Sequence, residues 1–336
     1  MKGTVVIFGA NGFLGRYLTR HYLGQGREVV AVGRHEDGIE DAAMHLEWDG
    51  RTLGPWALAL EGADLVINLA GRSVNCRYNP ENREEILASR TASTRVIGQA
   101  IGICQNPPRV WMNSSTATFY RHAEDVPQDE WSGEPGSGFS VEVATAWEES
   151  FFSVMLPGAV RKVALRTGMV LACEEGTVLD VLLKLARRGL GGRMGDGNQR
   201  VSWIHMEDFC EALDFLEDAP LADGVFNLTS PEPVTNRELM KVLRRAENLP
   251  FGLPASRWML ELGACLMGTE TELVLKSRWV IPARLMAEGF EFRWAHLADA
   301  VGNLRARKGI DAFFQKGGRR SLGHRAWVPG ARPEPV

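Results

Sequence analysis

Three glycines near the start of the chain have a spacing that suits the binding of a phosphate group. They belong to GANGFLG, Gly9 through Gly15, which lies between an apolar run and a helical pattern. Gly9 permits a tight turn, Gly12 lets the backbone approach a pyrophosphate, and Gly15 lets the helix pack closely on the sheet. The N-terminus of the helix offers free N–H groups and a partial positive charge. The motif therefore predicts a dinucleotide site.

The end of the second apolar run indicates which dinucleotide would bind. An NAD enzyme carries Asp or Glu about twenty residues past the glycine loop, where it binds the ribose 2′-hydroxyl. Here Gly33 and Arg34 occupy that place. Because a guanidinium suits a 2′-phosphate, we predict NADP as the cofactor. Two alternatives stay open: Arg34 as a solvated turn residue, and a preference weakened by the neighbouring Glu36 and Asp37.

A second glycine-rich segment, GLGGRMGDGNQRVSW from Gly189 to Trp203, contains residue types that suit a small-molecule pocket. Its glycines allow close approach of the backbone, Arg193 can meet an anion, and Trp203 offers a flat apolar wall. We predict that Arg193, Gln199 and Trp203 bind the substrate. The alternative is a glycine-rich connection between lobes with solvated arginines.

Short apolar runs that alternate with helical patterns predict the elements that hold these motifs. The expected strands are Thr4–Phe8, Glu28–Val32, Leu65–Leu69, Val110–Ser114 and Val163–Thr167, and the expected helices are Phe13–Gly24, Arg83–Ile103 and Val141–Met155. This alternation is typical of an α/β fold. We predict a Rossmann-type doubly wound parallel sheet in an NADP-binding domain over residues 1–170.

The pattern changes beyond residue 170. Longer helices, Val178–Arg188 and Asn236–Glu247, alternate with short strands near Ser202–Ile204 and Val225–Leu228. We predict a smaller, mainly helical C-terminal lobe over residues 171–304 that binds the substrate and shares some elements with the first domain. Residues 305–336 are basic, contain glycine and proline, and are predicted to be a tail outside the core.

Composition excludes several classes of protein. Of 336 residues, 45% are hydrophobic and 24% charged, and the formal net charge of −4 gives no general attraction to nucleic acid or anionic membrane. The opening run TVVIFG is too short for a signal sequence or a membrane span. Five scattered cysteines without ligand spacing favour reduced thiols and no metal site. We therefore expect a soluble, cytoplasmic protein that binds neither nucleic acid nor membrane.

Several motifs together make the chain resemble a known superfamily. They are the glycine loop, NLAG (Asn68–Gly71), LRTGMVL (Leu165–Leu171) and SWIHMEDF (Ser202–Phe209). The chain resembles the extended short-chain dehydrogenase/reductase superfamily, and within it the atypical NADP-binding, epimerase-like group that carries a C-terminal domain of unknown function. The resemblance covers roughly residues 3–304.

This resemblance implies a set of cofactor contacts. They are Gly9, Asn11, Gly12, Phe13, Leu14, Gly15, Gly33, Arg34, Leu69, Ala70, Gly71, Glu85, Arg90 and Val170. For Glu85 and Arg90, a solvated helix face is the alternative. The resemblance also makes a homodimer one expectation, although nothing in the sequence fixes the state of association.

The segment that should carry the acid of the superfamily lacks it. Classical members use a Tyr whose pKa, ordinarily ~10, is lowered by a Lys four residues later. In FSVEVATAWEES, Phe139–Ser150, one alignment places Ser140 and Ala144 at these positions and another places Phe139 and Val143 there. In neither alignment does a proton donor with a cationic partner appear.

Other residues are therefore candidates for the chemistry. The resemblance implies Ser115, or Thr116, as the hydroxyl that holds the substrate oxygen, and Tyr120 is predicted as a proton donor. The alternatives are a strand-end cap for Ser115 and a core or rim aromatic for Tyr120. Glu142, His205 and water are alternative carriers of the proton.

Two functions are compatible with these residues. The first is an NADP(H)-dependent oxidoreductase or epimerase that acts on a small polar or nucleotide-sugar-like substrate with non-standard catalytic residues. The second is a non-catalytic module that binds NADP(H) and reports its redox state to a protein partner. The missing Tyr and Lys favour the second, and the glycine-rich substrate loop favours the first.

Overall fold

A computed structural model describes residues 3–40, 43–156, 158, 160–261, 270 and 272–317, with the backbone alone for residues 273–274 and 308–317. Eleven strands are present in this part of the chain. They are β1 (Thr4–Phe8), β2 (Glu28–Gly33), β3 (Met44–Glu47), β4 (Leu65–Asn68), β5 (Val110–Thr116), β6 (Arg161–Thr167), β7 (Met169–Leu171), β8 (Arg200–Val201), β9 (Trp203–His205), β10 (Gly224–Leu228) and β11 (Val234–Thr235).

Seven of these strands form one parallel sheet in the order β3-β2-β1-β4-β5-β6-β10. The strands that follow β1 in the chain are added on one side, and those from β4 onward on the other. The carboxyl ends of β1 and β4 therefore border the crevice in which open parallel sheets bind their ligands. Val5, Val6, Ile7 and Phe8 are all fully buried, as expected for a strand covered on both faces.

Helices cover both faces of the sheet. Those described are α1 (Phe13–Gly24), α2 (Pro80–Gly102), α3 (Phe139–Phe152), α4 (Val178–Leu185), α5 (Met206–Asp218), α6 (Asn236–Ala246), α7 (Glu272–Leu275), α8 (Ala283–Ala287) and α9 (Leu297–Gly317). Side chains of α1 and α5 pack on one face of the sheet, and side chains of α2 and α3 pack on the other. Among the described residues, no helix is long and apolar enough to cross a membrane.

The second lobe has its own apolar core. It joins residues from α4, α6 and α9 with Leu171 and Trp203. Two small sheets belong to this region: β7 pairs parallel with β9, and β8 pairs antiparallel with β11. β10 also comes from beyond residue 170, yet it completes the central sheet by pairing with β6. The predicted fold, a doubly wound parallel sheet with a smaller and mainly helical C-terminal lobe, is confirmed.

Several predicted boundaries need correction. The strand β3 was not predicted, because MHLE has no apolar run and forms a partly exposed edge. The helix α2 begins at Pro80 rather than Arg83, since the side chain of Asn79 accepts a hydrogen bond from the N–H of Asn82. The helix α9 continues past residue 305 to Gly317, so the first part of the predicted tail is helical. Residues 318–336 of that tail lie outside the described residues.

Candidate functional site

The glycine loop joins β1 to α1 in a geometry that fits a dinucleotide pyrophosphate. Gly9 has φ +77°, and a Cβ atom there would lie 2.9 Å from the backbone of Leu69. A Cβ atom on Gly15 would lie 2.5 Å from the carbonyl oxygen of Gly9. Gly12 is the N-cap of α1, and no side chain caps this helix. Larger residues are therefore excluded from positions 9 and 15, and the first-turn N–H groups stay available to an anion.

Asn11 connects this loop to the turn after β2. Its side-chain amide donates to the carbonyl oxygens of His35 and Asp37, at 2.5 and 3.0 Å. A Cβ atom on Gly33 would lie 1.8 Å from Asn11 Oδ1, so the amide occupies the space that a side chain at position 33 would need. Asn11 thus holds the two predicted parts of the dinucleotide site together.

Arg34 is exposed at the end of β2. The two neighbouring carboxylates lie against imidazoles: Glu36 is 3.7 Å from His45, and Asp37 is 3.5 Å from His35. No described carboxylate forms an ion pair with Arg34. Its guanidinium is therefore available to an anionic ligand.

Buried amides fix the carboxyl ends of β4 and β5. Asn68 accepts a hydrogen bond from the N–H of Ala70 at 3.0 Å and donates to Asn113 at 2.7 Å. The hydroxyl of Thr94 also donates to Asn113, at 3.2 Å, and accepts from the indole N–H of Trp147 at 3.0 Å. This network positions Leu69, Ala70 and Gly71, the predicted cofactor contacts after β4.

The two predicted cofactor residues on α2 differ in position. Glu85 is exposed and forms an ion pair with Arg72. Arg90 lies beside the end of β4, because a Cβ atom on Gly71 would be 3.3 Å from its side chain, and its guanidinium is 5.1 Å from the ring centroid of Trp147. Burial lowers the pKa of Arg90 to about 10. Since no described carboxylate pairs with Arg90, its charge is available to a ligand.

Ser115, the predicted substrate-holding residue, belongs to a buried ion pair. Its hydroxyl donates to Glu148 at 2.5 Å, and Arg166 donates to both oxygens of the same carboxylate at 2.8 and 2.7 Å. The guanidinium of Arg166 lies 3.5 Å from the ring centroid of Phe119. The hydroxyl of Ser115 thus binds the carboxylate of Glu148. This hydrogen bond competes with binding of a substrate oxygen.

Tyr120, the predicted proton donor, is fully buried. Its hydroxyl donates to Asn227 at 3.0 Å, and burial raises its pKa above the ordinary value, against the lowering effect of Arg166. The side chain of Asn227 in turn donates to the carbonyl oxygen of Ile281. These contacts make Tyr120 a core residue and argue against its role as an acid.

The predicted substrate residues differ in their exposure. Trp203 is fully buried, and its indole N–H donates to the carbonyl oxygen of Glu232 at 3.1 Å. Gln199 is 3% exposed and donates to the carbonyl oxygen of Met194 at 2.9 Å. The side chain of Gln199 holds its own loop together, and that of Trp203 links β9 to the loop before β11, so these contacts argue against a role for either residue at the substrate. Arg193 is exposed, and Val170 is half-buried on β7.

A cluster that the sequence did not predict lies at the first turn of α3. Ser140, one of the two residues aligned with the missing Tyr, donates to Glu272 at 3.1 Å, and the ring of Tyr78 packs against the neighbouring Phe139 with 5.0 Å between centroids. Arg278 lies 3.6 Å from Glu272. These residues come from the loop before α2, from α7 and from the segment that follows it. No local pattern in the sequence indicates this cluster, because its residues lie far apart in the chain.

The model of the NAD dependent epimerase/dehydratase family matches residues 5–228, which include the glycine loop, β2 and the Ser115 segment. The chain belongs to this family. A second model, of the domain of unknown function DUF1731, matches residues 255–304, which include Glu272 and Arg278. The resemblance to the extended short-chain dehydrogenase/reductase superfamily, in its group with this C-terminal domain, is thereby confirmed.

Individual members of the epimerase family match over most of their length. The chain is 29% identical to the mouse epimerase family protein SDR39U1, over 90% of this chain and 99% of the mouse protein. The crystal structure of human SDR39U1 (isoform 2) with NADPH is 28% identical and has a TM-score of 0.78, over 90% of this chain and 99% of the human chain. A nucleoside-diphosphate sugar epimerase from Corynebacterium glutamicum is 27% identical with a TM-score of 0.71, over 94% of this chain and 61% of that chain.

The described residues of this epimerase family member include no group of three or more His, Cys, Asp or Glu side chains that could hold a metal ion. The loop from Gly9 to Gly15 forms the candidate dinucleotide cradle, with Arg34 exposed at the end of β2 and Arg90 beside Gly71 after β4.

Proposed function

We propose that the protein binds NADP(H) and catalyses hydride transfer, as an oxidoreductase or epimerase that acts on a small polar or nucleotide-sugar-like substrate. The observation that carries this proposal is the loop from Gly9 to Gly15, with Arg34 exposed beyond it and unpaired among the described residues. The human relative solved with NADPH supports the same cofactor.

Different residues of the cradle would bind different parts of the cofactor. The N–H groups of the first turn of α1 would hold the pyrophosphate, and Arg34 would hold the 2′-phosphate of the adenosine. Gly71, Arg90 and Val170 would border the nicotinamide half. When bound, the nicotinamide supplies or accepts a hydride.

Calorimetry with Arg34→Ala tests the choice of cofactor. A charge-assisted hydrogen bond contributes about 1.5–3 kcal/mol, so NADPH binding should weaken roughly ten- to hundredfold, while NADH binding should change less than about twofold. Arg257→Ala, which removes an exposed arginine from the C-terminal lobe, is the matched control and should leave both affinities unchanged. Equal weakening of both cofactors by Arg34→Ala would remove the basis for NADP.

A second function, redox sensing without turnover, is favoured by a specific observation. α3 carries Ser140 and Ala144 in place of an acid and its cation, while Ser115 and Tyr120 are held by buried partners. NADPH deuterated stereospecifically at the nicotinamide C4 distinguishes the two functions, with aldehydes, ketones and nucleotide sugars as substrates. Deuterium in a product supports the enzyme. Cofactor binding without deuterium loss from any substrate supports the sensor.

A further inference from the structure

The side chain of Arg278 is mostly buried, yet most of its hydrogen-bonding capacity is unused. The side chain is 13% exposed, and its Nη2 atom lies 3.6 Å from Glu272. Within the described part of the chain, its Nε and Nη1 atoms are buried without a hydrogen-bond partner. Most of the N–H groups of a guanidinium belong to these two atoms. Because buried donors are normally satisfied, Arg278 is a candidate for binding an acceptor from outside the protein.

Hydrogen bonds to β8 and to the residue after it fix the backbone of Arg278. Its N–H donates to the carbonyl oxygen of Arg200 at 2.8 Å, and its carbonyl oxygen accepts from the hydroxyl of Ser202 at 2.6 Å. The hydroxyl of Ser277, one residue earlier, accepts from the N–H of Arg200 at 2.8 Å. A segment that neighbouring residues hold in place thus carries the guanidinium, so little backbone freedom has to be lost when it binds a ligand.

Glu272 faces more positive charge than it can compensate. It lies 3.4 Å from Lys276 and 3.6 Å from Arg278, and it accepts a hydrogen bond from the hydroxyl of Ser140 at 3.1 Å. The ammonium of Lys276 also donates to the carbonyl oxygen of Ser137, at 3.2 Å. We call Glu272, Lys276 and Arg278 the cationic cluster. Its net charge is 2 − 1 = +1, so one further negative charge would be compensated there.

Burial makes this excess charge unfavourable without removing it. Burial lowers the pKa of Arg278 to about 10, while the nearby Glu272 acts in the opposite direction. The guanidinium therefore stays protonated at neutral pH. Since a buried charge without full compensation costs stability, an anion gains more free energy at Arg278 than at a fully exposed arginine.

The cationic cluster lies at the N-terminal end of α3. No side chain caps this helix at Gly138, so the partial positive charge of its first turn adds to that of the cluster. Ser140 lies in this turn, seven residues before Trp147, which corresponds to ~10 Å along the helix. The ring of Trp147 is 5.1 Å from the guanidinium of Arg90, beside Gly71. The cluster is therefore about two helical turns away from the predicted cofactor contacts after β4.

We propose that Arg278 binds a singly charged oxyanion of the substrate at the first turn of α3, as in a carboxylate or in each phosphate of a nucleotide sugar. This inference rests on the proposed function and adds the charge of the substrate to it. Both groups offer oxygen acceptors to Nε and Nη1 and supply the one negative charge that the cluster lacks. Glu272 repels a second negative charge. Arg278 thus selects an anionic substrate against a neutral one of the same shape.

The signal of the Nε–H group of Arg278 tests this selection in the wild-type protein. Protein with ¹⁵N-labelled arginine is titrated, with and without NADPH, with pyruvate and with uridine diphosphate glucose, and Arg278→Lys assigns the signal. Methyl pyruvate and uridine are the neutral controls. At least one anion should move the Arg278 signal, and the one that does so distinguishes a carboxylate from a phosphate. Neither neutral compound should move it. A signal that ignores both anions would overturn the proposal.

Two substitutions with opposite expected effects test the charges of the cluster. Ligand-observed NMR gives the dissociation constant of the anion for each variant. Arg278→Gln should weaken binding about ten- to hundredfold, because it removes charge-assisted hydrogen bonds. Glu272→Gln keeps the size of the side chain and should tighten binding at least about twofold, because it removes a repelling charge. Arg257→Gln, which changes an arginine that is 80% exposed, is the matched control and should have no effect.

Glu272→Gln keeps the test decisive even where Arg278→Gln does not fold. Weaker binding in Glu272→Gln, or unchanged binding in a folded Arg278→Gln, would contradict the role of Arg278. The deuterium-transfer experiment separates this result from the proposed function. If the wild type transfers deuterium while neither anion moves the Arg278 signal, hydride transfer stands and the anion site fails. If an anion binds at Arg278 but no substrate takes up deuterium, the anion site stands and hydride transfer fails.

Discussion

Glu148→Gln is expected to destabilise the fold strongly, because it leaves the charge of Arg166 buried without compensation. The two side chains are each 10% exposed, and two hydrogen bonds of 2.8 and 2.7 Å join them. Phe119 covers one face of the guanidinium, so little of this charge faces water. Breaking a buried ion pair from one side costs about 3–5 kcal/mol.

Unfolding in urea measures this cost as a free energy in a double-mutant cycle. The cycle compares the wild type, Glu148→Gln, Arg166→Met and the double variant. The double variant should lose less stability than Glu148→Gln alone, because methionine removes the unpaired charge and keeps apolar contact with Phe119. Glu149→Gln changes an exposed carboxylate on the same helix and should cost less than about 0.5 kcal/mol. A loss below about 1 kcal/mol for Glu148→Gln, or additive losses in the double variant, would refute the reasoning.

Two further substitutions test the cradle and the second lobe. Gly15→Ala puts a Cβ atom 2.5 Å from the Gly9 carbonyl oxygen. It should lower the free energy of unfolding, measured in urea, by about 1–3 kcal/mol and abolish the heat of NADPH binding. Gly302→Ala, whose added Cβ atom meets nothing within 4 Å, should do neither. Burial lowers the pKa of His205 to about 4, below its unfolded value of ~6.5. The unfolded state therefore binds the proton first, and stability should fall by on the order of 3 kcal/mol as pH drops from ~6.5 to ~4. His205→Asn keeps an acceptor for the N–H of Glu207 and should remove this part of the pH dependence of the free energy of unfolding, measured in urea. An unchanged slope of that free energy against pH would show that another group causes the dependence.

The parts of the fold predicted from sequence are those that local patterns determine. Thr4–Phe8 and Phe13–Gly24 match the predicted strand and helix, because an apolar run, three glycines and a helical pattern follow one another without a gap. The strand β3 could not be found in this way. Its four residues acquire their role from pairing with β2, and MHLE lacks the apolar content of β4, the strand of equal length in the same sheet.

In the candidate site, too, the sequence predicted what local patterns determine and missed what distant partners determine. The sequence predicted the glycine loop because backbone geometry alone demands those residues. It did not predict that the hydroxyl of Ser115 is bound to Glu148, or that Trp203 is buried in the core. Both contacts depend on partners distant in the chain. Trp203 shows the general difficulty. A tryptophan beside glycines suits a ligand-binding wall, but the same ring fills the core between α4 and α6, and only burial distinguishes the two.

The departure at α3 has a physical explanation in the surroundings of positions 140 and 144. Ser140 already donates to the carboxylate of Glu272, so a tyrosine at position 140 would have to displace this contact. Ala144, one turn later, is fully buried, and a lysine there would need a charge partner that its surroundings would have to supply.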